Sequence, residues 1–352
     1  MAYRATLKDV AAVAGVSVTT VSLVLNNRPA RVSEEKRRVI ADAAKKLNYV
    51  PNQSARSLVT KQSQLVALIV PDIENLFFAA LAKCVEDECA AQGYSLIVAN
   101  SDDSRVTEHE LLQRLPARGV DGVMLIPARE SCVGDAAGRL REDVALVSCP
   151  VVLIDRLTQC GWCDAVGFDN YLGGRLAAQY LLEGGHTRIG IVAGDIAESS
   201  AAERRRGFVD AIEQSGKHFD SSLCVEGDYR FDSGYRAANQ IIDGGATAVF
   251  CCNDVMALGF RQRMAERGLH VTEDMQVIGY DNILKRFGLG WRMTTVEQSV
   301  TDLAAACWGM LRKRIDVAVR AKSGTESGDA RPWLSDPQVE VLTPKLVQAA
   351  CA

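Results

Sequence analysis

From Leu65 onward the chain alternates short apolar runs with amphipathic stretches, and it does so twice. The first series reads as strand 65–70, helix 77–92, strand 94–99, helix 105–117, strand 122–126, a further helix and strand 151–154. The second begins near Val166, with helix 172–182, strand 189–193, helices 202–214 and 233–242, strand 248–252, helix 255–267 and strand 276–280. Wholly apolar runs suit strands buried on both faces, and a helix between strands supplies the crossover that parallel pairing needs. The pattern predicts doubly wound parallel sheets. Two similar halves in one chain predict a cleft between them, lined by polar residues at strand C-termini.

Residues 1–62 depart from this pattern and carry the opposite charge. They hold 11 Lys/Arg against 4 Asp/Glu, whereas residues 63–352 hold 29 against 40. A basic head on an acidic body points to a polyanionic partner for the head, because neutralising phosphates releases their counterions. With 352 residues, 48% of them hydrophobic and 24% charged, the chain has the composition of about two globular domains with a small appendage. No apolar run approaches the roughly 18 residues of a membrane span, and the first residues lack a signal peptide's apolar core. A cytoplasmic location without a membrane partner is therefore expected.

The 11 cysteines are odd in number, scattered and mostly apolar in context, as at Cys84, Cys251, Cys252 and Cys307, which reads as reduced core thiols. Cys160 and Cys163 form a C-x-x-C pair that could make a redox disulfide or half a zinc site, but no second pair accompanies it. There is no phosphate-binding Gly-rich loop, no His-Glu-x-x-His and no Gly-x-Ser-x-Gly, and His109, His186, His218 and His270 are isolated. No catalytic residue, cofactor or metal site is expected.

The basic head reads as three short helices. Thr6 followed by Asp9 makes a capping box, Leu7, Val10, Ala11 and Ala14 share a face, and Gly15 can end the helix. Ser17 caps a second helix with Val21, Val24 and Leu25 inward and Val18, Thr19, Ser22 and Leu23 outward. A third helix starts after Ser33 and buries Val39, Ile40, Ala43 and Leu47. The first two, separated by Gly15 and Val16, form a helix-turn-helix.

At this point the sequence resembles the LacI/GalR-type, lactose-repressor-like bacterial transcription regulators. The resemblance rests on the run from Thr6 to Asn26, on Val32-Ser33, and on Leu47, Tyr49, Pro51, Asn52, Ala55, Arg56, Ser57 and Leu58 at their spacing. It implies an all-α DNA-binding domain over 1–50, a hinge helix and linker over 51–62, and a two-lobed, periplasmic-binding-protein-like effector and dimerisation domain over 63–352. The implied N-lobe takes about 63–162 and 293–327, and the C-lobe about 163–292 and 328–352. Thr6, Ser17, Val18, Thr19, Thr20, Ser22, Leu23, Asn26, Ser33, Tyr49, Asn52, Ala55, Arg56 and Leu58 are the implied DNA contacts. Thr19 and Thr20 can offer hydroxyls and Val18 can meet a thymine methyl in the major groove, while Leu58 would enter a minor-groove base step and kink the duplex. Leu23 and Val59 stand where relatives often place polar or basic residues.

In the body, Asn75, Phe77 and Phe78 follow the first strand, Arg204 follows strand 189–193, and Asn253 and Asp281 close two others. Carboxylate, amide and guanidinium groups between aromatic walls suit a polyhydroxylated ligand. The resemblance implies Arg204, Asn253 and Asp281 as effector contacts, with Phe78 and Tyr229 as walls and Trp291 near a crossover. Plainer readings stand beside these: Phe77 and Phe78 as lobe core, Asn253 as a turn residue, Trp291 as packing. Glu198 replaces a cation found in some purine-responsive relatives, which favours a sugar or sugar derivative. The whole reads as a non-enzymatic, homodimeric repressor of pseudo-palindromic operator DNA, with either induction or corepression open. The alternative is a soluble sugar- or redox-sensing protein, or a sugar-processing enzyme, whose N-terminal helices serve assembly.

Overall fold

The computed structural model describes residues 5–25, 29, 31–50, 62–157, 161–195, 199–271, 273–289, 293–322 and 331–349. Asn26, residues 51–61, Cys160, Glu198 and Trp291 lie outside them. The chain forms two compact units, one ending at Ser63 and one beginning at Gln64.

The first unit consists of helices α1 (Leu7–Ala14), α2 (Val18–Leu25) and α3 (Glu34–Lys46). Thr6 caps α1 in a complete capping box: its backbone N–H donates to Asp9 Oδ2 at 2.7 Å and its hydroxyl oxygen accepts from Asp9 N. Gly15, at φ +63°, ends α1 in the left-handed region and lets the chain bend by 103° into α2. Val10, Val21 and Ile40 are fully buried at the centre of a small core with Ala11, Val24, Ala43 and Ala44. Val39 is 44% exposed, against expectation. It sits one residue, about 100° of helix, from Ile40, so Ala44 takes the inward place on that face.

In the second unit, strands β1 (Leu65–Val70), β2 (Ser95–Asn100), β3 (Gly122–Leu125), β4 (Val151–Ile154), β5 (Asp164–Phe168) and β11 (Val339–Leu342) form one six-stranded sheet, in the order β11-β5-β4-β3-β1-β2. Strands β6 (Ile189–Ala193), β7 (Cys224–Glu226), β8 (Ala248–Cys251), β9 (Gln276–Asp281), β10 (Thr295–Glu297) and β12 (Lys345–Val347) form the other, in the order β12-β10-β9-β8-β6-β7. The pairings are parallel except that of β10 with β12. Helices Leu76–Ala91 and Val300–Lys322 cover one face of the first sheet, where Trp308, Leu81 and Leu311 are buried, and Arg105–Ala117 and Gly134–Leu146 cover the other. The second sheet has its own core around Phe208, Phe250, Phe260 and Tyr280.

These pairings move the lobe boundaries. The expected crossovers near 163, 292 and 328 instead follow β5, β10 and β11, because Val152 pairs with Asp164 and Val339 with Ala165 in the first sheet. An apolar strand carries no mark of which sheet it joins, so alternation alone could not place Asp164–Phe168. The three-residue edge strand β7 escaped the sequence reading for want of an apolar run.

Candidate functional site

In the first unit, the start of α2 carries the residues that the sequence reading expects to contact DNA. Ser17 Oγ accepts from Thr20 N at 3.1 Å and lies 2.8 Å from the Thr20 hydroxyl, so the cap fixes both side chains. Val18 and Thr19 are exposed beside them, whereas Ser22 and Leu23 are half-buried. Ser33 caps α3 by accepting from Lys36 N at 3.3 Å. Tyr49 packs against the three-helix core. Asn26, Asn52, Ala55, Arg56 and Leu58 fall outside the described residues.

In the second unit, two adjoining cavities lie between the lobes. The outer one, about 680 Å³, opens among the ends of β1, β2, β3 and β7, with Asp72, Asp103, Arg129, Tyr229 and Arg230 on its walls. The inner one is small and gathers Phe77, Phe78, Arg156, Arg204, Asp281 and Gln298. Asn75, Phe78, Arg156 and Tyr229 border both.

Arg204 is placed by helix packing. A Cβ on Gly174 would come 2.0 Å from the Arg204 carbonyl oxygen, and one on Gly207 would come 2.0 Å from that of Tyr171. The glycines thus allow helices Asn170–Glu183 and Ser199–Gln214 to touch backbone to backbone. Arg204 Nε then donates to Asn170 Oδ1 at 2.7 Å, Nη1 to the Cys252 carbonyl at 2.9 Å and Nη2 to Gln298 Oε1 at 3.1 Å, with the guanidinium 3.9 Å from the Tyr280 ring centroid. Three of its five N–H groups are thereby engaged, and it borders the cavity as a held, partly committed donor.

Asp281 ends β9 at φ +97°, buried, and burial pushes its carboxyl up to about 8 against the pull of Arg204. Asp254 behind it is pushed by burial up to about 6, opposed by hydrogen bonds from Thr295 Oγ1 at 2.7 Å and Ile283 N at 2.8 Å. Asn253 is not among the cavity-lining residues. Its Oδ1 accepts from Met256 N at 2.8 Å as a helix cap and its Nδ2 donates to the Tyr229 carbonyl at 2.9 Å, so it positions Tyr229, itself at φ +65°. Phe77 and Phe78, edge to face at 5.7 Å, belong to the first-lobe core and also face the inner cavity. Trp291 lies outside the described residues.

Sequence reasoning missed Asp103, Arg129, Asp155, Arg156 and Arg230. Arg156 Nη1 donates to Asp103 Oδ1 at 2.6 Å and to the Pro127 carbonyl at 2.7 Å, tying together the ends of β2, β3 and β4. The available signal was position alone: each follows a parallel strand, where such folds hold ligands. Among the described residues no group of His, Cys, Asp or Glu is arranged to hold a metal. Cys163 is buried and its Sγ donates to the Val151 carbonyl at 3.4 Å.

Comparison with known proteins agrees with this geometry along nearly the whole chain. The profile of periplasmic binding proteins and the sugar binding domain of the LacI family matches residues 63–312, and that of bacterial regulatory proteins, lacI family, matches residues 6–52. The HTH-type transcriptional repressor PurR of Pasteurella multocida is 36% identical over 314 residues, covering 89% of this chain and 92% of that protein. PurR of Vibrio atlanticus is 34% identical over 314 residues, covering 88% and 92%. The solved lac repressor dimer bound to operator and the anti-inducer ONPF aligns with a TM-score of 0.80 at 25% identity, covering 99% of this chain and 100% of that one. A complex of the transcriptional regulator CelR with cellobiose aligns with a TM-score of 0.69 at 28% identity, covering 99% and 100%.

Proposed function

The chain belongs to the LacI family of bacterial regulatory proteins and is a DNA-binding transcriptional repressor rather than an enzyme, and on that premise we propose that a sugar or sugar derivative bound between its lobes controls its grip on operator DNA. The observation that carries the proposal is the pair of adjoining cavities between the lobes, where Asp281 and Arg204 line the small inner end and Phe78 and Tyr229 border both it and the 680 Å³ outer space. A carboxyl group and a guanidinium can bind neighbouring hydroxyls while a ring covers the apolar face of a pyranose. The profile match to a sugar binding domain and the likeness to a cellobiose complex support the same class of ligand.

In this reading the protein acts in the cytoplasm as a homodimer. Two α2 helices read adjoining half-sites of a pseudo-palindrome. Exposed Val18 and Thr19 supply base contacts, and the Ser17–Thr20 cap fixes the helix end that approaches the phosphates. Ligand binding changes the balance between two lobe arrangements, and so the affinity for DNA.

Thermal-shift titration of the full chain with neutral monosaccharides, disaccharides, sugar acids and purine bases tests the ligand class. A sugar should raise the melting temperature of the wild type and lose that effect in Asp281→Asn. Stabilisation by purine bases alone would overturn the sugar assignment. A sugar effect that survives Asp281→Asn would move the site.

A further inference from the structure

The two lobes are joined by ion pairs as well as by chain crossovers. Arg129, beyond β3 of the first lobe, donates from Nη1 to Asp195 Oδ2 at 2.8 Å, just beyond β6 of the second. Arg230, beyond β7 of the second lobe, reaches back with Nη1 to Glu74 Oε2 at 2.9 Å and Nη2 to Asp72 Oδ2 at 2.7 Å, both beyond β1. The contacts join different strand ends in each lobe, so together they oppose separation at more than one point. Asp72, Glu74, Arg129 and Arg230 also line the outer cavity, so the pairs stand across the way in.

The Arg129 side chain is held before it pairs, and the backbone that carries Arg230 is fixed. The Arg129 backbone N–H donates to Asp103 Oδ1 at 2.9 Å and its Nε to Asp103 Oδ2. The preceding N–H, of Ala128, donates at 2.6 Å to Glu108 Oε2, whose side chain is fully buried and whose Oε1 accepts from Ser131 Oγ at 2.6 Å. The Arg230 N–H donates to Asp228 Oδ1 at 3.0 Å. The cost of ordering long side chains is what makes free surface pairs weak, and anchoring of this kind reduces it.

We propose that these ion pairs clasp the cleft in the ligand-free protein, so that Arg129 and Arg230 set the resting balance between closed and open lobes. The inference rests on reading the cleft as the effector site, but it concerns the empty protein. A ligand shifts a two-state equilibrium only by its differential affinity for the states, so the resting balance fixes how far a given effector can move the switch. Partly exposed pairs of this kind shift such a balance about two- to fivefold each. Loss of all three pairs therefore raises the open fraction roughly tenfold or more.

Hydrogen–deuterium exchange of the full chain, without ligand or DNA, tests this. The amides of Ile73, Asp103 and Arg129, all hydrogen-bonded at the cleft rim, should exchange about tenfold faster in the Arg129→Ala, Arg230→Ala double variant than in the wild type. They should not change in Arg206→Ala, which removes an ion pair to Glu203 within one helix. The partner-side triple variant Asp72→Asn, Glu74→Gln, Asp195→Asn must reproduce the effect, and about 0.5 M salt should bring the wild type most of the way to it. Equal exchange in the wild type and both clasp variants would overturn the proposal, as would opening on one side of the pairs only. Because no sugar or operator enters the measurement, its failure is separate from failure of the ligand assignment.

Discussion

Asp281 is buried at the end of β9 in a left-handed conformation, facing Arg204, Asp254 and Asp155. Its carboxyl, pushed by burial up to about 8, lies far above the ordinary value near 3.9 of an unfolded chain. Between those values the folded state holds a proton that the unfolded state has released. The stability linked to Asp281 is therefore complete below about pH 4 and is lost as pH rises through about 8. Asn accepts positive φ and cannot ionise, so Asp281→Asn should be the more stable form at pH 8, by on the order of 1 kcal/mol or more, with the advantage shrinking toward pH 4. Melting temperatures across that range check it, and parallel profiles for the two proteins would mean the carboxylate is ionised in the fold. At this scale strand ends pointed to Asp281 and Arg204, and the family resemblance to Tyr229. The sequence could not reveal that Arg204 leans on Asn170, Cys252 and Gln298, or that Asn253 serves Tyr229, since those partners are 24 or more residues away.

Elements position these groups, and their packing tolerances are narrow. Gly174→Ala would place a methyl where the Arg204 carbonyl oxygen lies, forcing helices Asn170–Glu183 and Ser199–Gln214 apart. Such overpacking should cost about 1–3 kcal/mol and also displace Arg204, so both melting temperature and sugar-induced stabilisation should fall. An unchanged ligand response would mean that Arg204 does not depend on this contact. In the small unit, Ile40→Ala should cost about 2–5 kcal/mol, comparable with the whole stability of a core of that size. Circular dichroism should then show loss of the three-helix transition with the effector domain's melting unchanged, and DNA binding should disappear. Helix caps and alternation were legible because Thr6, Ser17 and Ser33 act on neighbours a few residues away. Sheet membership was not, because β5 and β11 are assigned by distant pairing rather than by local pattern.

The molecule as a whole opposes a basic head to an acidic body, and the cleft shares the body's sign. Among the described residues its two cavities are bordered by eight carboxyl groups, of which Asp281 stays protonated at neutral pH, and four guanidinium groups. Arg129, Arg156 and Arg230 already face carboxylates, and Arg204 faces amide and carbonyl oxygens. A phosphate or carboxylate on the ligand would meet excess negative charge, so neutral sugars should bind at least about tenfold more tightly than their phosphorylated counterparts. Calorimetric titration of matched pairs checks this, and equal or tighter binding of the phosphates would contradict it. The head's charge pointed to a polyanion and its helix-turn-helix to duplex DNA, whereas the ion pairs across the cleft needed three dimensions.

The central claim is that the head grips duplex DNA and the cleft's occupant alters that grip. Fluorescence anisotropy on a duplex selected by the full chain from a random pool, with and without the sugar found by thermal shift, measures both at once. An inverted-repeat site should emerge, with affinity falling steeply between about 50 and 200 mM salt and changing on addition of the sugar in the wild type but not in Asp281→Asn. No enriched inverted repeat, or an affinity indifferent to a sugar that demonstrably occupies the cleft, would contradict the account.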